Sequence, residues 1–233
     1  LIHNVNDSFW GCGNDGHGEN KYGQILMDLR RDTLMAYNSS KNVVDDHPVV
    51  KSPNRSQNCY LICDSMGRGV HLDTKDRSSI TFSYPNAEIS HINSRINSIV
   101  GQSPPSQIAV MAGTNDVQHS HAQSILRDFE ILTDSLLDTC PDSDITICGI
   151  EARADLPMLN EKICFINNGL ASMCQRKTLV YTPCYAEANP HRNWQAVLGR
   201  RGLHLNDIGK RDLRRRILHS LDAIQYFQAD QTS

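Results

Sequence analysis

Tyr60-Leu-Ile-Cys-Asp-Ser-Met-Gly-Arg-Gly-Val70 joins two kinds of local sequence. Its apolar start reads as a buried strand, which stops at Asp64-Ser65 and is followed by glycines at 67 and 69. A serine at such a strand end sits beside unpaired backbone N–H groups, the setting that acyl transfer at a serine requires. Two later segments answer it. Ala112-Gly-Thr-Asn-Asp116 follows a second apolar run, and Gly202-Leu-His-Leu-Asn206 precedes the last helical pattern. Taken singly, Asp64-Ser65 reads as a helix cap, Gly113–Asp116 as a turn and His204 as a hydrogen-bonded loop histidine. Taken in order, they supply a nucleophile, an amide donor and a base.

The surrounding sequence alternates between strand and helix. Candidate strands fall at 59–63, 79–83, 107–112, 144–150 and 178–182. Ile89, Ile92, Ile96 and Ile99 recur at helical spacing, as do Ile125, Phe129, Leu132 and Leu136. A third helix is expected over 158–175, with Leu159, Ile163, Ile166 and Leu170 on one face. The last begins at a cap, Asn206 or Asp207, and runs to about Gln225. This alternation predicts an α/β domain over 58–228: a three-layer α/β/α fold on a parallel five-stranded sheet. Ligands of such sheets bind beyond the carboxyl ends of strands. Ser65 and Gly113–Asp116 fall at two of those ends, and His204 lies on a late loop that could reach them.

Over about 58–225 the chain resembles the SGNH (GDSL-type) hydrolases. Cys63-Asp64-Ser65 matches their Gly-Asp-Ser block, with cysteine in place of glycine. Gly113-Thr114-Asn115-Asp116 matches their Gly-x-Asn-Asp block in full. Asn86 stands where the second block usually has glycine. The histidine of the Asp-x-x-His block is His204, but the residue three before it is Arg201 rather than aspartate. The Leu-His-Leu-Asn ending is similar to SGNH-like domains of some animal multidomain and retroelement-derived proteins. The resemblance implies Ser65 as nucleophile and His204 as base. It implies an oxyanion site from the Ser65 N–H, the Asn86 N–H and the Asn115 amide, with Asp64, Gly113 and Asp116 in support. The substrate would be a small ester or acylated compound, and no cofactor or metal is implied.

Arg201 bears directly on activity. The acid normally found there orients the imidazole and stabilises its charged form, whereas a nearby guanidinium opposes protonation of His204. A backbone carbonyl could hold the ring nitrogen and leave a Ser–His dyad. Glu187 or Asp207 could replace the acid. Alternatively, the domain could retain a binding or scaffold function without catalysis.

Residues 1–37 form a first segment, of which about 4–35 carry a second resemblance. Asn6-Asp-Ser-Phe-Trp-Gly-Cys-Gly13 and Gly18-Glu-Asn-Lys-Tyr-Gly-Gln-Ile-Leu-Met-Asp-Leu-Arg30 are similar to the carboxyl end of a NADAR (YbiA-like) domain. That family is associated with N-glycosidic cleavage of ADP-ribose-related or riboflavin-pathway compounds. Asp7 and Trp10 align with its loop, where a carboxylate and an aromatic face suit a ribosyl substrate. One loop and one helix bury no core of their own, so this piece is expected to be a fragment inactive alone, within a longer polypeptide. Residues 38–57 are polar, are broken by Pro48 and Pro53, and read as a linker.

Composition narrows the remaining choices. The 233 residues carry a net charge of −3, which argues against a strongly nucleic-acid-binding protein. No apolar run reaches the roughly 20 residues that span a bilayer. The eight cysteines form no C-x-x-C pair, and several sit in apolar runs, as expected of buried thiols in an intracellular, reducing compartment. His119 and His121 with Asp116 could suggest a metal, but no fourth ligand is evident. The basic residues Lys210, Arg211, Arg214, Arg215 and Arg216 read as a solvated helix face, with an anion or RNA contact as the alternative. Trp194 either lines the pocket or anchors the loop before His204.

Overall fold

Five parallel strands form one sheet in the order β2-β1-β3-β4-β5. They are β1 (Gln57–Cys63), β2 (Arg77–Ser83), β3 (Gln107–Met111), β4 (Asp144–Cys148) and β5 (Val180–Thr182). The structure is a computed structural model that describes residues 57–101 and 104–231. The NADAR-like segment, with Asp7 and Trp10, and nearly all of the expected linker lie outside the described residues.

The helices are α1 (Ile89–Asn93), α2 (Ile96–Val100), α3 (Asp116–His119), α4 (Ala122–Thr139), α5 (Asn160–Arg176), α6 (Tyr185–Ala188) and α7 (Asp207–Gln231). Alternation along the strands divides the core between the two faces of the sheet. Ile62, Ile108, Val110, Ile145 and Ile147 pack with apolar residues of α1, α2, α4 and α5. Leu61, Cys63, Ala109, Met111 and Cys148 pack with Leu213, Ile217 and Leu221 of α7. The expected three-layer α/β/α architecture is therefore present. No helix among the described residues is long and apolar enough to cross a membrane.

Element boundaries differ from expectation for local reasons. The isoleucine pattern from 89 to 99 forms two short helices, not one. Between them the Ser94 hydroxyl donates to the His91 carbonyl, and Arg95 lies over the Tyr84 ring at 5.1 Å. The fifth strand begins at Val180 because Thr178 has φ of +56°, outside the strand region. The second begins two residues early, at Arg77. That side chain is buried and donates to Gln107 and Asp222, both at 2.7 Å.

Sheet order places the site. The connection from β1 leads to one side and the connection from β2 returns to the other, so the order reverses between β1 and β3. That reversal opens a crevice at their carboxyl ends. The Asp64 N–H donates to the Met111 carbonyl at 3.0 Å, which brings both strand ends level.

Cys63, the cysteine that stands where the related block has glycine, fits because of Gly67. A Cβ on Gly67 would lie 2.7 Å from both Cβ and Sγ of Cys63. Gly67→Ala is therefore expected to destabilise the domain by about 1–3 kcal/mol. Adding Cys63→Gly should recover part of that loss, read as a shift of the urea midpoint. Equal midpoints for wild type and Gly67→Ala would contradict the packing.

Candidate functional site

Ser65 opens a single 3-10 turn, Ser65–Gly67, directly after β1. Asp64 caps that turn: its Oδ1 accepts the Met66 N–H at 2.8 Å. Its Oδ2 accepts the Thr114 N–H at 3.2 Å, across the crevice on the loop after β3. Asp64 has no exposed surface. Burial pushes its carboxyl above the usual range, while the donated N–H groups pull it back. The cap expected from sequence is real, and it is also the link between two strand ends.

The Gly113–Asp116 block connects to the third strand end. The Asn115 amide donates to the Ala87 carbonyl at 2.8 Å, and the Asp116 carboxyl accepts the Ile89 N–H at 3.2 Å. Gly113 has φ of +96°, and a Cβ there would lie 2.7 Å from Ile150 Cδ1, so glycine is required. In the turn from Tyr84 to Ala87, Asn86 adopts φ of +60°. Asparagine tolerates this left-handed region better than other non-glycine residues. The N–H groups of Ser65 and Asn86 have no acceptor among the described residues.

His204 reaches Ser65 from the loop before α7. Its Nε2 lies 3.1 Å from Ser65 Oγ. Leu198 and Leu205 form an antiparallel bridge, and the Gly199 N–H donates to the His204 carbonyl at 2.7 Å. Asn206 braces the same loop. Its amide donates to Ala196 and Leu198, and its Oδ1 accepts the Gly209 N–H at 3.0 Å, capping α7. The loop after β4 adds a second brace that sequence reasoning missed. Ala154 and Asp155 donate backbone N–H groups to the Gly202 carbonyl, and the buried Arg153 donates to the Thr114 carbonyl.

Arg201 is exposed and forms no ion pair or hydrogen bond among the described residues. Among those residues no carboxylate or carbonyl hydrogen-bonds His204 Nδ1. Glu187 accepts the Tyr181 hydroxyl at 2.8 Å and the Cys184 N–H at 3.0 Å, so it is engaged elsewhere. Asp207 is exposed at the start of α7. Trp194 is half-buried against the α7 side of the core and anchors the loop.

One further expectation changes. The basic run on α7 is not wholly solvated, since Arg216 is buried and donates to Glu151 at 2.7 Å and to Asp212 at 2.6 Å. Arg214 donates to the carbonyls of His71 and Asp73. The thiols of Cys59, Cys63, Cys148 and Cys174 are buried, which pushes each up to about 12. His119 and His121 sit near the start of α4, and the described residues contain no cluster of three metal-binding side chains.

Solved structures with the same architecture carry hydrolase names. A lipase/acylhydrolase from Enterococcus faecalis has a TM-score of 0.60 at 14% identity, covering 70% of this chain and 94% of that one. A GDSL-like lipase from Bacteroides thetaiotaomicron has a TM-score of 0.63 at 12% identity, covering 82% and 97%. A G-D-S-L family lipolytic protein from Veillonella parvula has a TM-score of 0.58 at 15% identity, covering 70% and 96%. Neither protein-family models nor curated protein sequences give a match. The chain thus has the α/β fold of the SGNH hydrolases, and the structural likeness is to GDSL-type lipases and acylhydrolases.

The buried carboxyl of Asp116 gives the site a pH signature. Burial pushes it from 3.8 up to about 6. The fold therefore favours its protonated form. That contribution is full below about 3.8 and is lost as pH rises through about 6. Stability should fall over this window by up to about 3 kcal/mol relative to Asp116→Asn, which keeps an acceptor for Ile89. Urea midpoints of the two proteins from pH 4 to 7 check this. Parallel profiles would contradict it.

Proposed function

We propose that the domain is a serine ester hydrolase acting on a small ester or acylated substrate through a Ser65–His204 dyad. The observation that carries this reading is the 3.1 Å approach of His204 Nε2 to Ser65 Oγ. In this mechanism Ser65 Oγ attacks the ester carbonyl carbon while its proton passes to His204 Nε2. The carbonyl oxygen becomes an oxyanion, for which the Ser65 and Asn86 N–H groups and the second Asn115 amide hydrogen are candidate donors. Collapse breaks the ester C–O bond, and His204 returns the proton to the departing alcohol. Water then attacks the acyl-serine carbon and His204 takes its proton. Collapse then breaks the acyl C–Oγ bond, His204 returns the proton to Ser65 Oγ, and the carboxylic acid leaves.

Proton transfer from Ser65 requires the tautomer with its proton on Nδ1. His204 is exposed, so water can accept a hydrogen bond from the Nδ1–H. The missing carboxylate still costs rate, because no described carboxylate or carbonyl hydrogen-bonds the imidazolium at Nδ1. In a Ser-His-Asp triad, replacing the aspartate with asparagine lowers kcat by about 10⁴. A second reading, a binding or scaffold module without catalysis, is favoured by the same unpartnered Nδ1.

Hydrolysis of p-nitrophenyl acetate and butyrate separates the two. Wild type is expected to turn over, and Ser65→Ala to fall to background. Asn115→Ala should lower kcat by about 10²–10³ with smaller change in KM. Arg201→Ala should stay within about twofold of wild type, since an exposed charge with no ion pair or hydrogen bond among the described residues contributes little. Equal background rates for wild type and Ser65→Ala would sink the hydrolase reading and leave the binding module.

A further inference from the structure

The dyad opens into a depression of about 340 Å³ lined by Ser65, Met66, Arg68, His204, Leu205 and Lys210. Two of these six residues are cations and none is an acid. Arg68 directly follows the Ser65–Gly67 turn, and Lys210 belongs to the first turn of α7. The two elements are pressed together here: a Cβ on Gly69 would lie 3.6 Å from Lys210 Nζ. Neither cation forms an ion pair or hydrogen bond among the described residues. The whole chain has a net charge of −3, so the positive lining is local and does not reflect overall composition.

Resting on the hydrolase reading, we propose that Arg68 and Lys210 select esters carrying an anionic group, a carboxylate or a phosphate, in the moiety held beside Ser65. Two like charges around one small depression repel each other, and an anion placed between them removes that cost. A guanidinium matches carboxylate and phosphate oxygens in a forked geometry, and an ammonium serves as a point charge. Met66 and Leu205 give the same depression an apolar floor for the uncharged part of the ligand. The acidic side chain at the site, Asp64, is buried, with each oxygen engaged by an N–H donor, and forms no ion pair with these cations.

The test compares three acetyl esters with the same aryl frame: 3-acetoxybenzoate, 3-acetoxyphenyl phosphate and the neutral methyl 3-acetoxybenzoate. Acid release by the full chain is followed by pH-stat and corrected for spontaneous hydrolysis. At low ionic strength at least one anionic ester should exceed the neutral one in kcat/KM by about tenfold. Which one does so separates a carboxylate from a phosphate. The excess should shrink at about 0.5 M salt. Arg68→Gln and Lys210→Gln should each lower the anionic-to-neutral ratio by about threefold or more. Arg211→Gln, on an exposed position outside the depression, should leave that ratio unchanged.

A ratio of one in wild type, with Ser65-dependent turnover of the neutral ester, overturns the anion preference and leaves the hydrolase. An equal loss of preference in Arg211→Gln overturns the assignment to this depression. If no ester is turned over above Ser65→Ala, the hydrolase reading fails, and binding of 3-methoxybenzoate and 3-methoxyphenyl phosphate, measured by calorimetry, becomes the readout. Binding weakened by Arg68→Gln and Lys210→Gln then keeps the anion site. Absence of binding overturns it.

Discussion

The buried carboxyl of Asp64 holds the end of β1 and the loop after β3 in one arrangement, with one oxygen on Met66 N–H and the other on Thr114 N–H. A carboxyl without solvent is costly unless its oxygens are hydrogen-bonded. Here that demand couples two loops that are 50 residues apart in the chain. Met66 sits next to Ser65 and Thr114 next to Asn115. The relative placement of the Ser65 hydroxyl and the Asn115 amide therefore follows from satisfying one side chain.

The rest of the site is built outward from that link. Asn115 and Asp116 extend the hold to Ala87 and Ile89, so the turn bearing Asn86 is fixed from the same block. Arg153 grips the Thr114 carbonyl from the loop after β4, and its two neighbours in sequence hold the Gly202 carbonyl. The histidine loop is thereby referenced to the same strand ends as the serine. Leu203 packs on the core and Leu205 is buried, so the side chain between them is left to face Ser65. Placing an imidazole 3.1 Å from a hydroxyl needs no direct bond between their loops, because shared partners set the distance.

This explains which features could be read from sequence. Strand patterns and the Gly113–Asp116 block were legible because buried strands and positive-φ glycines leave strong local marks. Asn86 was legible for the same reason, since its backbone needs a residue that tolerates φ of +60°. The break at Ser94 and the late start of β5 were not, because each depends on a side-chain or backbone bond rather than on periodicity. Arg153 and Arg216 resemble surface residues in sequence, and only their partners across the fold make them interior. Arg68 and Lys210 lie 142 positions apart, and nothing local marks them as lining one depression.

The exposed Arg201 alters the catalytic argument more by what it lacks than by its charge. A guanidinium held in the site would oppose an imidazolium, but this one is exposed and forms no ion pair or hydrogen bond among the described residues. The loss is that of an anion beside Nδ1, a fixed charge that water replaces only weakly. An asparagine in that position can hold the imidazole in the wrong tautomer, whereas solvent imposes no tautomer at all. The remaining groups are those that bind and orient: two free N–H groups, a braced amide and a hydroxyl already paired with a base. A site of that kind depends more than a full triad does on substrate binding to bring the carbonyl into position. Cations in its lining add binding energy at the one step that the dyad itself does not supply.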